Sequence, residues 1–126
     1  MATDLKTEII YPSSDGKPMA DNTRQWEWIA TVKNGLDVVF DDRQDVFVAS
    51  DLLWYPVEGE PQTVTAPDIL VAFGRPKGHR MSYMQWKEDD IAPQVVFEIL
   101  SHSNDIWTMA DKYYFYENYA VEEYYI

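Results

Sequence analysis

Two carboxylates and one lysine are the side chains of this sequence best suited to chemistry. Glu98 lies in the centre of the apolar run QVVFEIL, and Asp68 precedes a second apolar run in the segment APDIL. Because an unpaired buried carboxylate costs several kcal/mol, a cation has to compensate the charge of Glu98. Lys112, in the segment IWTMADKYYFYEN, is a cation that can approach from a neighbouring element. These residue types predict a charged site at an otherwise apolar sheet.

Two carboxylates, a lysine and water suit a magnesium site for phosphodiester hydrolysis. Mg²⁺ is held by one or two carboxylates and keeps several waters, and we expect Mn²⁺ to be able to replace it. A bound divalent cation lowers the pKa of a water ligand and stabilises charge on phosphate oxygens. We therefore expect Asp68 and Glu98 to be metal ligands with a catalytic role. Lys112 would orient the water or assist its deprotonation, and would oppose charge on the scissile phosphate.

Hydrophobic periodicity predicts the elements that carry these residues. Apolar residues at helical spacing follow the N-cap candidates Asp21, Asn22 and Thr23 and continue to Phe40. Apolar runs predict strands in VFVASDLLWYP, TVTAPDILVAF, QVVFEIL and, at the end of the chain, VEEYYI. The segment IWTMADKYYFYEN suits a helix, and GRPKGHRMSYMQWKEDDIAP is typical of a long loop. The order helix, strand, strand, strand, helix, strand predicts an α/β fold with a mixed sheet.

This order of elements predicts that the three charged side chains converge. Antiparallel pairing of the second and third strands would place Asp68 and Glu98 at the same level of the sheet. From Glu98 to Ser101 the strand rises about 10 Å, and from Asn104 to Lys112 the helix returns about 12 Å. We expect the last strand–helix–strand unit to be a right-handed parallel crossover. A helix on each face of the sheet would explain why QVVFEIL is almost entirely apolar.

Length, composition and charge restrict the class of protein. The 126 residues predict a single domain, 1–126, in which residues 1–18 form an N-terminal covering segment. The net charge of −12 and the pI near 4.3 argue against a high-affinity DNA scaffold, because cationic side chains supply most nucleic-acid affinity. They do not exclude an enzyme that contacts DNA through a metal-filled cleft. The absence of cysteine and of a long apolar run predicts a cytoplasmic protein without a membrane segment.

Each candidate also has an ordinary structural interpretation. Glu98 can be a buried acid paired with Arg or Lys, and Asp68 by itself is ordinary turn chemistry before a strand. Lys112 can be a solvated helix residue, although its i−4 and i+4 neighbours, Thr108 and Tyr116, are not acidic. The type of each residue alone leaves these alternatives open.

Three further features are weaker candidates for a functional role. Glu27 on the first helix could add an acid ligand, although a solvated position is the simpler interpretation. Ser101 could meet a phosphate at the start of the second helix, or could be a capping residue. The loop 75–87 carries four basic side chains interleaved with aromatic ones, which suits nucleic-acid contact. A surface loop that balances the acidic total explains the same residues.

The segments APDIL, FEILS and DKYYFYENYAVEEYY resemble the PD-(D/E)xK nuclease pattern, and more closely the Uma-two-type family of endonucleases. VFVASDLLWYPVEG and VAFGRPKG also resemble this family, so the resemblance extends from about Asp21 to Ile126. It implies a restriction-endonuclease-like fold and a Mg²⁺-dependent endonuclease that hydrolyses DNA. Asp68 and Glu98 match the metal ligands, and Lys112 matches the lysine that has migrated to the next helix.

This chain departs from the family pattern in three places. Leu100 occupies the standard lysine position two residues after the acid, and Ala120 replaces a usual glycine. Family members continue past the fourth strand, so the resemblance implies missing C-terminal strands and an open sheet edge. The acidic total, the absent strand lysine and the short C-terminus favour an alternative function. In that alternative the chain is a catalytically silent member of the fold that acts as a protein-interaction or dimerisation module, such as a homodimer.

Overall fold

The mixed sheet and its two helices are seen in a computed structural model that describes residues 8–16, 23–100 and 106–126. In chain order the described elements are α1 (Thr23–Val39), β1 (Val46–Ser50), β2 (Trp54–Tyr55), β3 (Ile69–Phe73), β4 (Tyr83–Met84), a short 3-10 turn (Gln85–Lys87), β5 (Val95–Phe97), α2 (Ile106–Asn118) and β6 (Glu123–Tyr125). Neither α1 nor α2 has the length and apolar composition needed to cross a bilayer, and the described residues contain no other helix that does.

The main sheet has the strand order β1-β3-β5-β6. Its first three strands are antiparallel neighbours, and β6 returns through α2 to pair with β5 in parallel. A second sheet consists of two strands of two residues each, β2 and β4, which pair in parallel. The antiparallel pairing of β3 and β5, the strands next to Asp68 and Glu98, agrees with the expectation, and so does the parallel return of the last strand. The handedness of that return stays a prediction.

The α/β class with two helices and a mixed sheet is confirmed, but the expected element order was incomplete. The run VFVASDLLWYP is divided because Asp51 adopts a left-handed backbone with φ 51°, which turns the chain between β1 and β2. The long loop after β3 contains β4 and the 3-10 turn. The second predicted strand begins only at Ile69, because Pro67 cannot donate a ladder hydrogen bond. Two short strands are thus added to the expected order.

Two groups of apolar side chains form the core, one on each face of the main sheet. The first contains Phe47, Trp54, Leu70, Ala72, Tyr83, Val96 and, from α2, Tyr116. The second contains Val46, Val71 and Val95. Leu36 of α1 and Phe40, which follows the last residue of α1, pack against it. Neighbouring strand residues point to opposite faces, which explains why these strands are apolar at consecutive positions. The expectation that one helix covers each face of the sheet stays a prediction.

The described part of the N-terminal segment, residues 8–16, packs on the second sheet through Tyr11. The Tyr11 ring lies 5.2 Å from that of Tyr55 and 5.0 Å from that of Trp86. The Tyr55 hydroxyl donates to the carbonyl of Pro12 at 2.6 Å. The single domain 1–126 and the covering segment 1–18 stay predictions, because these contacts concern only part of that segment.

The backbone conformation at the end of α2 shows why alanine is unusual at position 120. Ala120 has a φ of 70°, a left-handed conformation in which a Cβ atom meets the following carbonyl oxygen. The N–H of Val121 donates to the carbonyl of Tyr116 at 3.0 Å, as in a helix end of the Schellman type. Glycine is the residue that adopts this conformation without strain. The chain therefore carries local strain at the junction that leads into β6.

We expect Ala120→Gly to stabilise the protein by about 0.5–1 kcal/mol, because relief of left-handed strain exceeds the added freedom of the unfolded chain. The melting temperature should rise by about 2–4 °C in calorimetry. Ala110→Gly, within the same helix, is the matched control and should lower stability by about 1 kcal/mol. Equal destabilisation by both substitutions would contradict the assignment of strain to Ala120.

Candidate active site

The strand register places Asp68 and Glu98 opposite each other. Ile69 pairs with Phe97 in the antiparallel ladder of β3 and β5, so the same register extended by one residue brings Asp68 to Glu98. Directly opposed residues of antiparallel strands lie on one face of the sheet. The two acids therefore meet at one end of the strands, as the sequence predicted.

Glu98 is buried, and both of its carboxylate oxygens have partners. Its side chain is 2% exposed, and Oε2 accepts a hydrogen bond from Lys112 Nζ at 2.9 Å. The Tyr116 hydroxyl donates to Oε1. The backbone N–H of Glu98 also donates to the carbonyl of Tyr125 at 2.8 Å, which ties this residue to β6. The lysine and the tyrosine compensate the buried charge whether or not the site is catalytic.

Lys112 and Tyr116 both reach Glu98 because they lie one helical turn apart. Residues at i and i+4 share a face of a helix, so α2 presents the ammonium and the phenol together. The Lys112 side chain is 22% exposed, and its Nζ lies 3.5 Å from the carbonyl of Ala66. The lengths of the strand and helix therefore predicted the height of the ammonium correctly. The ammonium contacts one acid and solvent at the same time.

Asp68 is half-buried and is held by the backbone of the opposite strand. Its Oδ2 accepts a hydrogen bond from the N–H of Ile99 at 2.7 Å. The pKa of Asp68 is raised to about 7, chiefly by burial and then by the negative charge of Glu98, against the opposing effects of the Ile99 N–H and Lys112. Like charges that share a poorly solvated site resist joint ionisation. The pair is therefore a place where added positive charge is favoured.

Three other residues lie near the pair and were not predicted from the sequence to belong to it. The Tyr124 hydroxyl on β6 is buried close to both acids, whose charges contribute to raising its pKa. The N–H of Asp51 donates to the carbonyl of Asp68 at 3.3 Å, and burial raises the pKa of Asp51. The side chain of Gln25, on α1, donates to the carbonyl of Ile99 at 3.1 Å. The register of β1 and the parallel pairing of β6 were the signals that could have identified Asp51 and Tyr124.

The other sequence candidates are not gathered at this site. The Glu27 side chain is exposed, and Gln25 is the buried residue of the first turn of α1. Residues two apart on a helix do not share a face, so the approach of Gln25 to Ile99 directs Glu27 elsewhere. The additional ligand role considered for Glu27 therefore finds no geometric support. Ser101 lies outside the described residues.

The basic loop is used internally, which makes the nucleic-acid contact expected for it the weaker interpretation. Arg75 and Arg80 both pair with the buried carboxylate of Glu88, at 3.0 and 2.6 Å. Lys77 Nζ donates to the carbonyls of Phe40 and Val46, each at 2.9 Å. Three of the four basic side chains thus hold the loop together, since each has a protein partner.

The residues present fit a cation with few protein ligands. Within the described ranges no group of three or more His, Cys, Asp or Glu side chains is arranged to hold a metal ion. Mg²⁺, however, commonly uses one or two carboxylates and fills its shell with water. Asp68 and Glu98 supply that number, and the buried Tyr124 hydroxyl beside them has no hydrogen-bond partner. A hydrated cation would compensate the charge of the acids and offer a water oxygen to this donor.

The fold and these side chains define an α/β protein with a paired-carboxylate centre at one end of a mixed sheet. A family model identifies the group to which it belongs: the Uma2 model, described as "Putative restriction endonuclease", matches residues 4–126. The chain belongs to this family. Searches of curated proteins and of solved structures find no match.

We expect the contribution of Asp68 to the free energy of unfolding of the metal-free protein to fall as the pH rises from about 4 to 7. The folded state keeps the Asp68 proton to about pH 7, whereas the unfolded chain loses it near 3.8, so folding binds a proton in this window. The loss attributable to Asp68 should be below about 1.4 kcal/mol per pH unit.

Asp68→Asn should remove this contribution, because an amide keeps the acceptor for Ile99 and does not ionise. Urea unfolding in EDTA at several pH values measures the effect as the difference between wild type and variant. Parallel pH profiles of the two proteins would contradict the raised pKa of Asp68.

Proposed function

We propose that this protein is a Mg²⁺-dependent endonuclease that hydrolyses phosphodiester bonds in DNA. The observation that carries the proposal is the meeting of Asp68, Glu98 and Lys112 at one end of the sheet. Membership of a family described as "Putative restriction endonuclease" supports the reaction class and the substrate. Asp68 and Glu98 would hold the metal ion.

The divalent cation would supply charge neutralisation and an activated water, as such ions do in phosphodiester hydrolysis. The protein's own contribution is to hold two acids in a fixed relation. Asp68 is fixed by the Ile99 N–H, and Glu98 by Tyr116 and its backbone bond to β6. Rigid, poorly solvated carboxylates keep their position without reorganisation when charge develops nearby.

Lys112 would oppose negative charge on the scissile phosphate. Its ammonium contacts Glu98 yet keeps partial exposure, so an incoming phosphate oxygen can reach it from solvent. An ammonium aimed at developing charge in a poorly solvated site is worth more than the same group in water. The contact with Glu98 also limits where the flexible side chain can place its charge.

Substrate binding has to work against the overall charge of the protein. The net charge is −12, and Arg75, Lys77 and Arg80 already have protein partners. Long-range attraction of DNA is therefore weak, because phosphate neutralisation by lysine and arginine supplies most such affinity. The divalent cation and Lys112 would provide the local positive charge that a phosphodiester requires.

We expect the purified protein to nick supercoiled plasmid DNA in MgCl₂ or MnCl₂ and to lose the activity in EDTA. Glu98→Gln should lower the rate at least about 100-fold, because one metal ligand loses its charge while its shape is kept. Glu117→Gln, an exposed acid on α2, is the matched control and should keep wild-type activity. Gel electrophoresis of the plasmid forms gives the rate.

All variants are purified in parallel, so that a contaminating nuclease would show the same activity in each preparation. Circular dichroism establishes that Glu98→Gln is folded. Equal nicking by wild type and by folded Glu98→Gln would reject the assignment of Glu98 to the active site.

The second candidate, a catalytically silent interaction module, is favoured by two observations. Lys112 and Tyr116 already satisfy both oxygens of Glu98, so the cluster can be a self-sufficient structural pair. Large apolar side chains are also exposed on the described helices, a feature common at protein-interaction surfaces. They include Trp26, Trp28, Ile106 and Trp107. A homodimer is the simplest assembly for this alternative.

Thermal unfolding of Lys112→Met with and without MnCl₂ separates the two candidates. Removal of the ammonium leaves Glu98 buried without its cation and should destabilise the metal-free protein by about 3 kcal/mol. If the acids hold metal, Mn²⁺ replaces the lost charge. The rise in melting temperature on addition of MnCl₂ should then be larger for Lys112→Met than for wild type. A ligand at 100 times its Kd adds about 2.7 kcal/mol. A module without a metal site shows no Mn²⁺ effect in either protein, which would reject the endonuclease proposal.

A further inference from the structure

Tyr124 carries the one buried side-chain polar atom without a hydrogen-bond partner among the residues that the structure describes. Buried hydroxyl groups normally have partners, because the loss of water has to be compensated. This hydroxyl therefore calls for a physical explanation. Its position on β6, beside the two acids, provides a physical explanation for the missing partner.

The strand register places the Tyr124 side chain on the same face as Glu98. Tyr124 pairs with Val96 in the parallel ladder of β5 and β6. Glu98 lies two residues after Val96, and residues at i and i+2 of an extended chain point to the same face. The Tyr124 ring lies 5.0 Å from that of Tyr116, whose hydroxyl donates to Glu98. Tyr124 thus stands next to the cluster without bonding to it.

The electrostatic surroundings agree with this position. The pKa of Tyr124 is raised to about 12, chiefly by burial and then by the negative charges of Glu98 and Asp68. The hydroxyl therefore keeps its proton at physiological pH and remains a donor. It can bond to an oxygen atom between the acids without adding charge to them.

The other donors around the acids already have acceptors. Tyr116 and Lys112 donate to Glu98, and the Ile99 N–H donates to Asp68. Tyr124 alone among these groups has an O–H that no protein atom accepts. We propose that Tyr124 is a positioning residue whose hydroxyl donates a hydrogen bond to a water molecule carried by a divalent cation at Asp68 and Glu98. The inference rests on the proposed function, because it assumes that the two acids hold a cation.

Tyr125 provides a matched control on the same strand. Its side chain is exposed, and its hydroxyl donates to Glu123 at 3.0 Å. Adjacent residues of a strand point to opposite faces, so Tyr125 points away from the face that carries Glu98. Tyr124→Phe and Tyr125→Phe therefore remove the same atom from two sides of one strand.

The first readout is Mn²⁺ binding, which needs no catalysis. Wild type, Tyr124→Phe and Tyr125→Phe are titrated with MnCl₂ while thermal unfolding is followed. Tyr124→Phe should weaken the apparent Kd for Mn²⁺ about tenfold, as is typical when a partner of a metal's ligands is removed. Tyr125→Phe should bind as wild type does.

Stability in EDTA distinguishes a positioning role from a structural one. Tyr124→Phe breaks no hydrogen bond within the described protein, so its metal-free melting temperature should equal or exceed that of wild type. A clear drop would show that the hydroxyl has a structural partner and would overturn the proposal. Wild-type Mn²⁺ affinity in Tyr124→Phe, or no Mn²⁺ binding by wild type, would overturn it equally.

The second readout is plasmid nicking at saturating MnCl₂. Tyr124→Phe should lower kcat about tenfold and leave KM for DNA unchanged, because the hydroxyl acts on the cation's water and does not contact DNA. Weakened Mn²⁺ binding in Tyr124→Phe without nicking by any variant would support the role of Tyr124 and reject the endonuclease function. Equal nicking by wild type and Tyr124→Phe would support the endonuclease function and overturn the role of Tyr124.

Discussion

Compensation of the buried charge on Glu98 is the constraint around which the end of the sheet is arranged. A carboxylate that is 2% exposed needs a cation and hydrogen-bond donors, and α2 supplies both from one face. The same helix connects β5 to β6, so the crossover that completes the sheet also delivers the ammonium. Fold and site are therefore coupled: a change in the length or rotation of α2 would leave an acid without its partner.

Glu88 is a second buried acid whose charge is compensated by cationic side chains. This acid is 7% exposed and holds Arg75 and Arg80, and the Arg80 guanidinium also lies 3.8 Å from the centre of the Phe47 ring. Such bonds fix a loop that has little regular structure of its own. Cationic side chains that already have carboxylate partners offer little free positive charge to DNA.

The sequence identified the α/β class, the antiparallel neighbours and the meeting of three charged residues, because these follow from strand order and element length. It could not locate the break after Ser50 or the start of β3 at Ile69, since both depend on local backbone choices at Asp51 and Pro67. Tyr124 was not assigned to the site, because a period-2 pattern shows which residues share a face, but not which hydroxyl lacks an acceptor. Glu27 was considered before Gln25 because residue charge is visible in a sequence and helix rotation is not.

The hydrogen bond from the Glu98 N–H to the Tyr125 carbonyl has a consequence for the dynamics of the protein. β6 is three residues long and lies at the edge of the described sheet, where strands open with the least free energy. Each opening of this strand would release the backbone of Glu98 and withdraw Tyr124 in the same event. The fraction of molecules with an assembled centre is thus set by the fraying equilibrium of one short strand, and any contact that clamps that edge would raise it.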